Sequence, residues 1–365
     1  VPGMPTAIGF DIGGSRIKLG VLTEAGRLRD GAARRIGPDT SVDVLAETLE
    51  RETVRLLARH GRADCSGIGI GLPGIIEPGF GARHLPGKLP GLEGHPLRQN
   101  LEARLSLPVT CLNDGAAATM GEWRYGAGVG VQDLVMLTLG TGVGSGVVMN
   151  GRLLANRHLG TGGGVGHFTL EVGGRRCLCG NRGCPETRIS AEAIAVAAAD
   201  HLRRGVSSSL VDEFRRDPAS VGFSALVAAS RDGDTLSREL MAGFARDLGA
   251  TIVSAIAAYN PDMVIIGGGM AAEGEAYMPD VQAYVDAHAW VYPPSRRVEV
   301  RTASFGEYSG VVGAAGNALV RGGVLTGVEA PLGDGMVKPA ERAEVSPARR
   351  EPDHRPAPPP STRGE

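Results

Sequence analysis

Two stretches of this sequence follow one plan. The first runs as an apolar strand from Thr6 to Asp11, breaks at Gly13-Gly14, and returns as a second strand from Ile17 to Leu22 into the turn Glu24-Ala25-Gly26. The second runs from Leu134 to Leu139, breaks at Gly140-Thr141-Gly142-Val143-Gly144, and returns from Gly146 to Met149. Its closing turn, Asn150-Gly151-Arg152-Leu153, echoes Gly26-Arg27-Leu28. A hairpin with a glycine-rich tip that occurs twice implies two copies of one supersecondary unit.

The segments around each copy are of mixed type. Val42 to His60 repeats apolar residues at helical spacing, and Cys65 to Leu72 reads as a buried strand, which makes a strand–helix–strand unit and an α/β chain. A Gly- and Pro-rich loop from Pro73 to Pro96 leads to a helix from Leu97, then to strand Val109 to Leu112 and to Asn113-Asp114. Helical stretches follow at Ala191 to His201 and Ser237 to Ala258, and strand Met263 to Ile266 runs into Gly267-Gly268-Gly269. From Pro331 the chain turns Pro- and Arg-rich without apolar periodicity, so residues 327–365 are expected to form a disordered tail.

Composition removes some functions. Lys plus Arg, 38, nearly balance Asp plus Glu, 40, so no global field holds nucleic acid or an anionic membrane. The sequence lacks a run of ~18 apolar residues and an N-terminal charged-then-apolar leader, and a cytoplasmic protein is expected. The 56 glycines, about twice the usual share, suggest tight turns and backbone pressed against ligands.

Six features carry chemistry. Asp11-Ile12-Gly13-Gly14-Ser15 ends a strand in a turn whose bare amides suit phosphate oxygens, with Asp11 placed to hold magnesium through water; a plain hairpin tip is the equal alternative. Gly140, Thr141 and Gly142 repeat the turn, and Gly268-Gly269 adds a third glycine cluster, which together favour a nucleotide. Asp114, at the end of an apolar strand, suits a general base for a substrate hydroxyl, and a helix N-cap is its other reading. His167, Cys177, Cys179 and Cys184 form the Cys3His set of a closed structural zinc site. Glu186, just beyond Cys184, would be held by that loop and suits polyol hydroxyls, or is a solvated surface residue. Glu122 and Trp123 read as helix and core residues.

These residues resemble the ROK family of repressors, open reading frames and sugar kinases, within the hexokinase and actin-like ATPase superfamily. The resemblance rests on Asp11 to Gly14 with Gly20, Gly69-Ile70-Gly71-Leu72-Pro73-Gly74, Asn113 to Ala117 with Gly121-Glu122, Leu139 to Gly144, Gly166-His167, and Cys177 through Glu186. It implies two actin-like, ribonuclease H-like lobes with a ligand cleft between them: residues 4–117 plus a C-terminal helix at 310–322, and residues 118–309 with the zinc loop. It further implies ATP and Mg2+ on the glycine turns, structural Zn2+, Asp114 as base, Asn113 and Glu186 on hydroxyls, His167 serving both zinc and substrate, Gly74 lining the site with backbone, and a homodimer.

Two positions depart from the family pattern. Gly164-Val165-Gly166-His167 stands where family kinases carry Glu-x-Gly-His, and Lys88 in Gly87-Lys88-Leu89 stands where an amide is usual. Loss of a charged acceptor worth roughly 1.5–3 kcal/mol suits a ligand that differs at its anomeric end. The expected activity is therefore a C7-cyclitol 7-kinase of the valienone or valiolone type in antibiotic biosynthesis. The alternative is an ordinary glucokinase or N-acetylhexosamine kinase. A sugar-sensing repressor is the less favoured class, since only seven residues precede Ile8 and leave no room for a recognition helix. A non-catalytic binding protein is the third class.

Overall fold

The computed structural model describes residues 4–37, 39–77, 81–84, 89, 91–154 and 163–321. Its first half contains β1 (Thr6–Ile12), β2 (Arg16–Thr23), β3 (Leu28–Arg35), α1 (Val42–His60), β4 (Cys65–Leu72), β5 (Ile75–Glu77), β6 (Gly81–His84), α2 (Leu97–Leu105), β7 (Val109–Asn113) and α3 (Asp114–Tyr125). The second half contains β8 (Leu134–Leu139), β9 (Val143–Met149), β10 (Arg152–Leu153), α4 (Glu186–Ile189), α5 (Ala191–Arg203), α6 (Val211–Arg216), α7 (Phe223–Arg231) and α8 (Thr235–Tyr259). It closes with β11 (Met263–Gly267), α9 (Met278–His288), β12 (Glu299–Thr302) and α10 (Ser309–Arg321).

The repeat seen in the sequence is a repeat of topology. One sheet runs β3-β2-β1-β4-β7 and the other β10-β9-β8-β11-β12. In each, an antiparallel meander is followed by two parallel crossover strands: β1 pairs with β4 and β4 with β7, as β8 pairs with β11 and β11 with β12. The central parallel strands β4 and β11 are almost wholly buried, because helices cover their faces.

Local signals account for the elements that the sequence shows. In α1, Ser41 caps the N-terminus by accepting from the Val44 N–H, Gly61 closes the other end, and Leu45, Leu49 and Leu56 turn inward. Strands β3 and β12 escaped the sequence reading because both are edge strands whose residues are mostly exposed, so neither alternates cleanly. Helices α6, α7 and α9 and the small hairpin β5–β6 were also unforeseen. Helix α8 has the length and apolarity of a membrane span, but its Leu236, Phe244, Leu248, Ile252 and Ile256 lie in the core beside the second sheet.

Helices α3 and α10 pack on one another, and α3 touches strands of both sheets. Helix α3 runs unbroken through residues 117 and 118, where the sequence places its lobe boundary. Helix α10 starts at Ser309 and reaches β1 and β4 through small residues. A Cβ at Gly69 would lie 1.7 Å from the Ala314 carbonyl, and one at Gly313 1.7 Å from that of Ala117, so any larger residue would drive α10 outward. Lys88 and the expected tail, 327–365, lie outside the described residues.

Candidate functional site

Strand β7 hands the chain directly to α3, and the junction holds Asp114. The helix cap is Asn113: its Oδ1 accepts from the Ala116 N–H at 3.2 Å while its Nδ2 donates to the Gly74 carbonyl at 3.0 Å. Asp114 is thereby relieved of capping and occupies the first helical position, where its Oδ1 accepts from the Gly115 N–H at 2.8 Å and the helix dipole favours its charge. The next residue presses on the second sheet, since a Cβ at Gly115 would lie 2.5 Å from the Ser145 carbonyl. Asp114 thus sits where the first sheet ends and β9 of the second begins.

Asp11, near the end of β1, is the other carboxylate of this place. Lys18, its register partner on β2, brings Nζ to 3.6 Å from Asp11 Oδ2 and 3.9 Å from Glu307 Oε2. Burial pushes the Asp11 carboxyl up to about 6; Lys18 opposes this, and the charges of Asp114 and Glu307 add to it. The effect of Asp114 shows that the two aspartates share one electrostatic environment. Lys18 and Glu307 were missed in the sequence, although an antiparallel hairpin register places Lys18 opposite Asp11.

That raised value has a stability consequence. A folded-state pKa above the unfolded one means the folded chain binds more protons between pH 3.8 and about 6, so stability falls as pH rises through that window and stays lower above it. The difference between 3.8 and about 6 is worth roughly 3 kcal/mol. Asp11→Asn is therefore expected to gain about 1–2 kcal/mol at pH 7.5 and nothing at pH 4, less than the full difference because the Asp11 side chain is 19 % exposed and water screens its charge. Denaturant unfolding at the two pH values checks this; a variant no more stable than wild type at pH 7.5 contradicts it.

Each glycine turn closes the end of a strand: the first follows β1, the second joins β8 to β9 and the third follows β11. In the first, the Gly13 N–H donates to the Arg16 carbonyl at 2.9 Å; in the second, the Gly140 N–H donates to that of Gly142 at 3.0 Å. Both tips open outward, since Cβ atoms at Gly14 and Gly140 would meet nothing within 4 Å. Gly268 packs against Leu139, 2.3 Å from its carbonyl to an added Cβ, which joins the third turn to the second. Ser15 takes part through its backbone, its carbonyl accepting from the Ile36 N–H. Thr141 lies beside these glycines in the β8–β9 tip.

The cysteine cluster is assembled as its spacing suggests. One ligand atom from each of His167, Cys177, Cys179 and Cys184 lies within 4.8 Å of the others. The Cys179 and Cys184 sulfurs are 3.6 Å apart, as are Cys177 Sγ and His167 Nδ1. Two thiolates on one tetrahedral zinc at ~2.3 Å are separated by roughly 3.8 Å, so the donor set and its spacing fit zinc. Burial raises the thiol pKa of Cys177 and Cys184, which leaves both protonated until a cation draws off their protons.

Glu186 leaves this cluster in an unforeseen direction. Its Oε2 accepts from the Val143 N–H at 3.0 Å, while Cys177 Sγ donates to Oε1 at 3.4 Å. Gly164, the departure from the family pattern, adopts left-handed backbone with φ 64°, and an added Cβ would meet nothing within 4 Å. A glutamate here would have room but a strained backbone.

Glu122 is more than a core residue. It is fully buried, and its carboxylate accepts from the N–H groups of Ala127, Ser304 and Phe305 and from the Ser309 hydroxyl, at 3.0, 2.9, 2.8 and 2.6 Å. It ties α3 to the crossover between β12 and α10.

Two related α/β halves, each a meander followed by parallel crossover strands, have the actin-like ATPase fold, and the similarities that follow make the chain a phosphotransferase. The chain belongs to the ROK family, whose model matches residues 7–321. It is 32 % identical over 312 residues to a glucokinase of Halalkalibacterium halodurans, covering 84 % of this chain and 92 % of that one. It is 34 % identical over 276 residues to a glucokinase of Thermotoga maritima, covering 73 % and 83 %. Its fold matches a ROK family glucokinase from Streptomyces griseus, solved with glucose and AMPPNP, with a TM-score of 0.73 at 28 % identity, covering 86 % of this chain and 99 % of that one.

Proposed function

We propose that this chain is an ATP-dependent glucokinase-type enzyme that transfers the γ-phosphoryl group to the primary hydroxyl of a hexose. The observation that carries it is Asp114, set at the end of β7, freed from capping by Asn113 and sharing its field with Asp11. Asp114 accepts the hydroxyl proton as the oxygen attacks phosphorus, and the phosphates lie across the outward-facing glycine tips. Asp11, with Lys18 beside it, would hold Mg2+, which when bound would supply neutralisation of phosphate charge. Gly74, Asn113, His167 and Glu186 are the residues we assign to the sugar, Asn113 being held against the Gly74 carbonyl at 3.0 Å. A cytoplasmic homodimer belongs to the same reading.

The similarity to glucokinases moves the substrate from the cyclitol expected in the sequence to a hexose. ATP consumption with magnesium, measured on glucose, mannose, N-acetylmannosamine, N-acetylglucosamine and valienone- or valiolone-type cyclitols, tests this. Glucose is expected to be the preferred acceptor by at least about tenfold. A cyclitol preference would return the specificity to Gly164; no turnover on any acceptor would overturn the kinase reading.

Zn2+ would occupy the His167, Cys177, Cys179 and Cys184 set as a structural ion. Metal analysis of the purified protein should give about one zinc per chain, and Cys179→Ser should lose most of it together with hexose affinity. A metal-free wild type that binds hexose normally would contradict the assignment.

A further inference from the structure

We infer that Glu186 is a positioning residue that ties the cysteine cluster to the second glycine hairpin, so that a filled cluster strengthens nucleotide binding. The inference deepens the kinase reading above and rests on it. Glu186 has one carboxylate oxygen on each side: Oε2 on the Val143 N–H at 3.0 Å, and Oε1 3.4 Å from Cys177 Sγ. Val143 follows directly on Gly142, whose own Cβ, were there one, would stand 2.7 Å from Oε2. The Gly142–Val143 side of the hairpin tip therefore rests on the carboxylate, while its Gly140 side stays open.

The same tip is held by neighbouring pieces of the cluster segment. The Ala191 N–H, at the start of α5, donates to the Gly140 carbonyl at 2.8 Å. On the His167 side, the Val165 N–H donates to Ser145 Oγ at 3.1 Å, and Gly166 lies so close to the Val143 carbonyl that an added Cβ would be 2.4 Å from it. Both ends of the metal-binding segment thus converge on β9 and its tip. An ion that draws His167, Cys177, Cys179 and Cys184 together takes the Cys177 proton that Oε1 accepts in the empty cluster, so the tie in the filled cluster runs through the short backbone link from Cys184 to Glu186, and the ion fixes that link and with it the Oε2 on which the tip rests. Without the ion the loop keeps backbone hydrogen bonds such as those from the Cys177 N–H to Asn181 and from the Gly183 N–H to Arg175, but its four ligand side chains are joined to one another by weak thiol contacts alone. The tip then samples more conformations, and the nucleotide meets the cost of ordering it.

The coupling is measured by calorimetric titration of AMPPNP, without sugar, into zinc-loaded and chelator-stripped protein, for wild type, Glu186→Ala and Glu186→Gln. Removal of one hydrogen bond to a charged acceptor should weaken AMPPNP about tenfold in the loaded Glu186→Ala variant. Glu186→Gln keeps an oxygen for the Val143 N–H and should stay within about threefold of wild type, although its hexose affinity changes with the lost charge. Stripping the wild type should weaken AMPPNP by a similar factor, while stripping Glu186→Ala adds less than about twofold, because the link is already cut. Reciprocity requires that AMPPNP tighten zinc in the wild type by the same factor.

Equal AMPPNP affinity in loaded wild type and Glu186→Ala, with hexose affinity alone reduced, would overturn the inference and leave the kinase reading standing. So would a stripped wild type that binds AMPPNP as well as the loaded one, a measurement that needs no variant to fold. Absence of AMPPNP binding by the loaded wild type would overturn both readings.

Discussion

Asp114→Asn is expected to reduce kcat on the preferred hexose by about 1,000-fold or more while the affinities for nucleotide and sugar change less than about threefold. The amide keeps the shape of the side chain and an oxygen for the Gly115 N–H, so α3 still starts at the same residue with its Asn113 cap intact. What is lost, on the proposed function, is the site that takes the proton from the attacking hydroxyl. The variant also removes a negative charge that raises the pKa of Asp11, so Asp11 ionises more readily and magnesium nucleotide binding is preserved. Two measurements check this: single-turnover phosphorylation, and the pH dependence of unfolding, which should become shallower between pH 3.8 and about 6. A kcat within tenfold of wild type would assign the proton to another acceptor.

Legibility in the sequence followed locality. Helix α1, β4 and β8 are found at the bounds expected, because each is bounded by turn residues and has a buried face that patterns its own sequence. The cysteine cluster could be read because three of its ligands lie within eight residues and thiols seldom crowd by chance. Edge strands β3 and β12 could not, since burial supplies the pattern and edges have little of it. Asp114 was visible as a carboxylate at a strand end, yet its release from capping depends on Asn113 reaching Gly74, 39 residues earlier. Glu186 was read as a sugar ligand from its place beside Cys184, and its bond to Val143 across 43 residues left no trace in the local sequence.

Glu122 is the residue for which that distance matters most, and its substitution should be the most destabilising of the single changes considered. Ser304, Phe305 and Ser309, which supply three of its four donors, stand 182 to 187 residues further along the chain. Four donors converging on one side chain require a group that only accepts, and a carboxylate is the side chain that fits. Glu122→Gln turns an NH2 either toward the two N–H groups of Ala127 and Ser304 or toward the Phe305 N–H and the Ser309 hydroxyl, which can turn to accept, and so strands at least one N–H in a fully buried place. The expected cost is about 3–5 kcal/mol, seen as a fall of about 10 °C in the melting temperature. Glu47→Gln on the exposed face of α1 should cost no more than ~0.5 kcal/mol and serves as the control. An unfolding free energy within 1 kcal/mol of wild type for Glu122→Gln, on the scale of a surface change, would show that the carboxylate is not the clamp. The loss should also reach the site. The clamp seats the start of α10, where Gly310 lies so close to Asp11 that an added Cβ would be 2.7 Å from its Cγ. Loosening α10 lets water reach Asp11, lowers its pKa toward the ordinary carboxylate range, and weakens the packing that aims it at the glycine turns. The variant should therefore bind AMPPNP more weakly at temperatures where it is still folded, which a simple cost in stability would not produce.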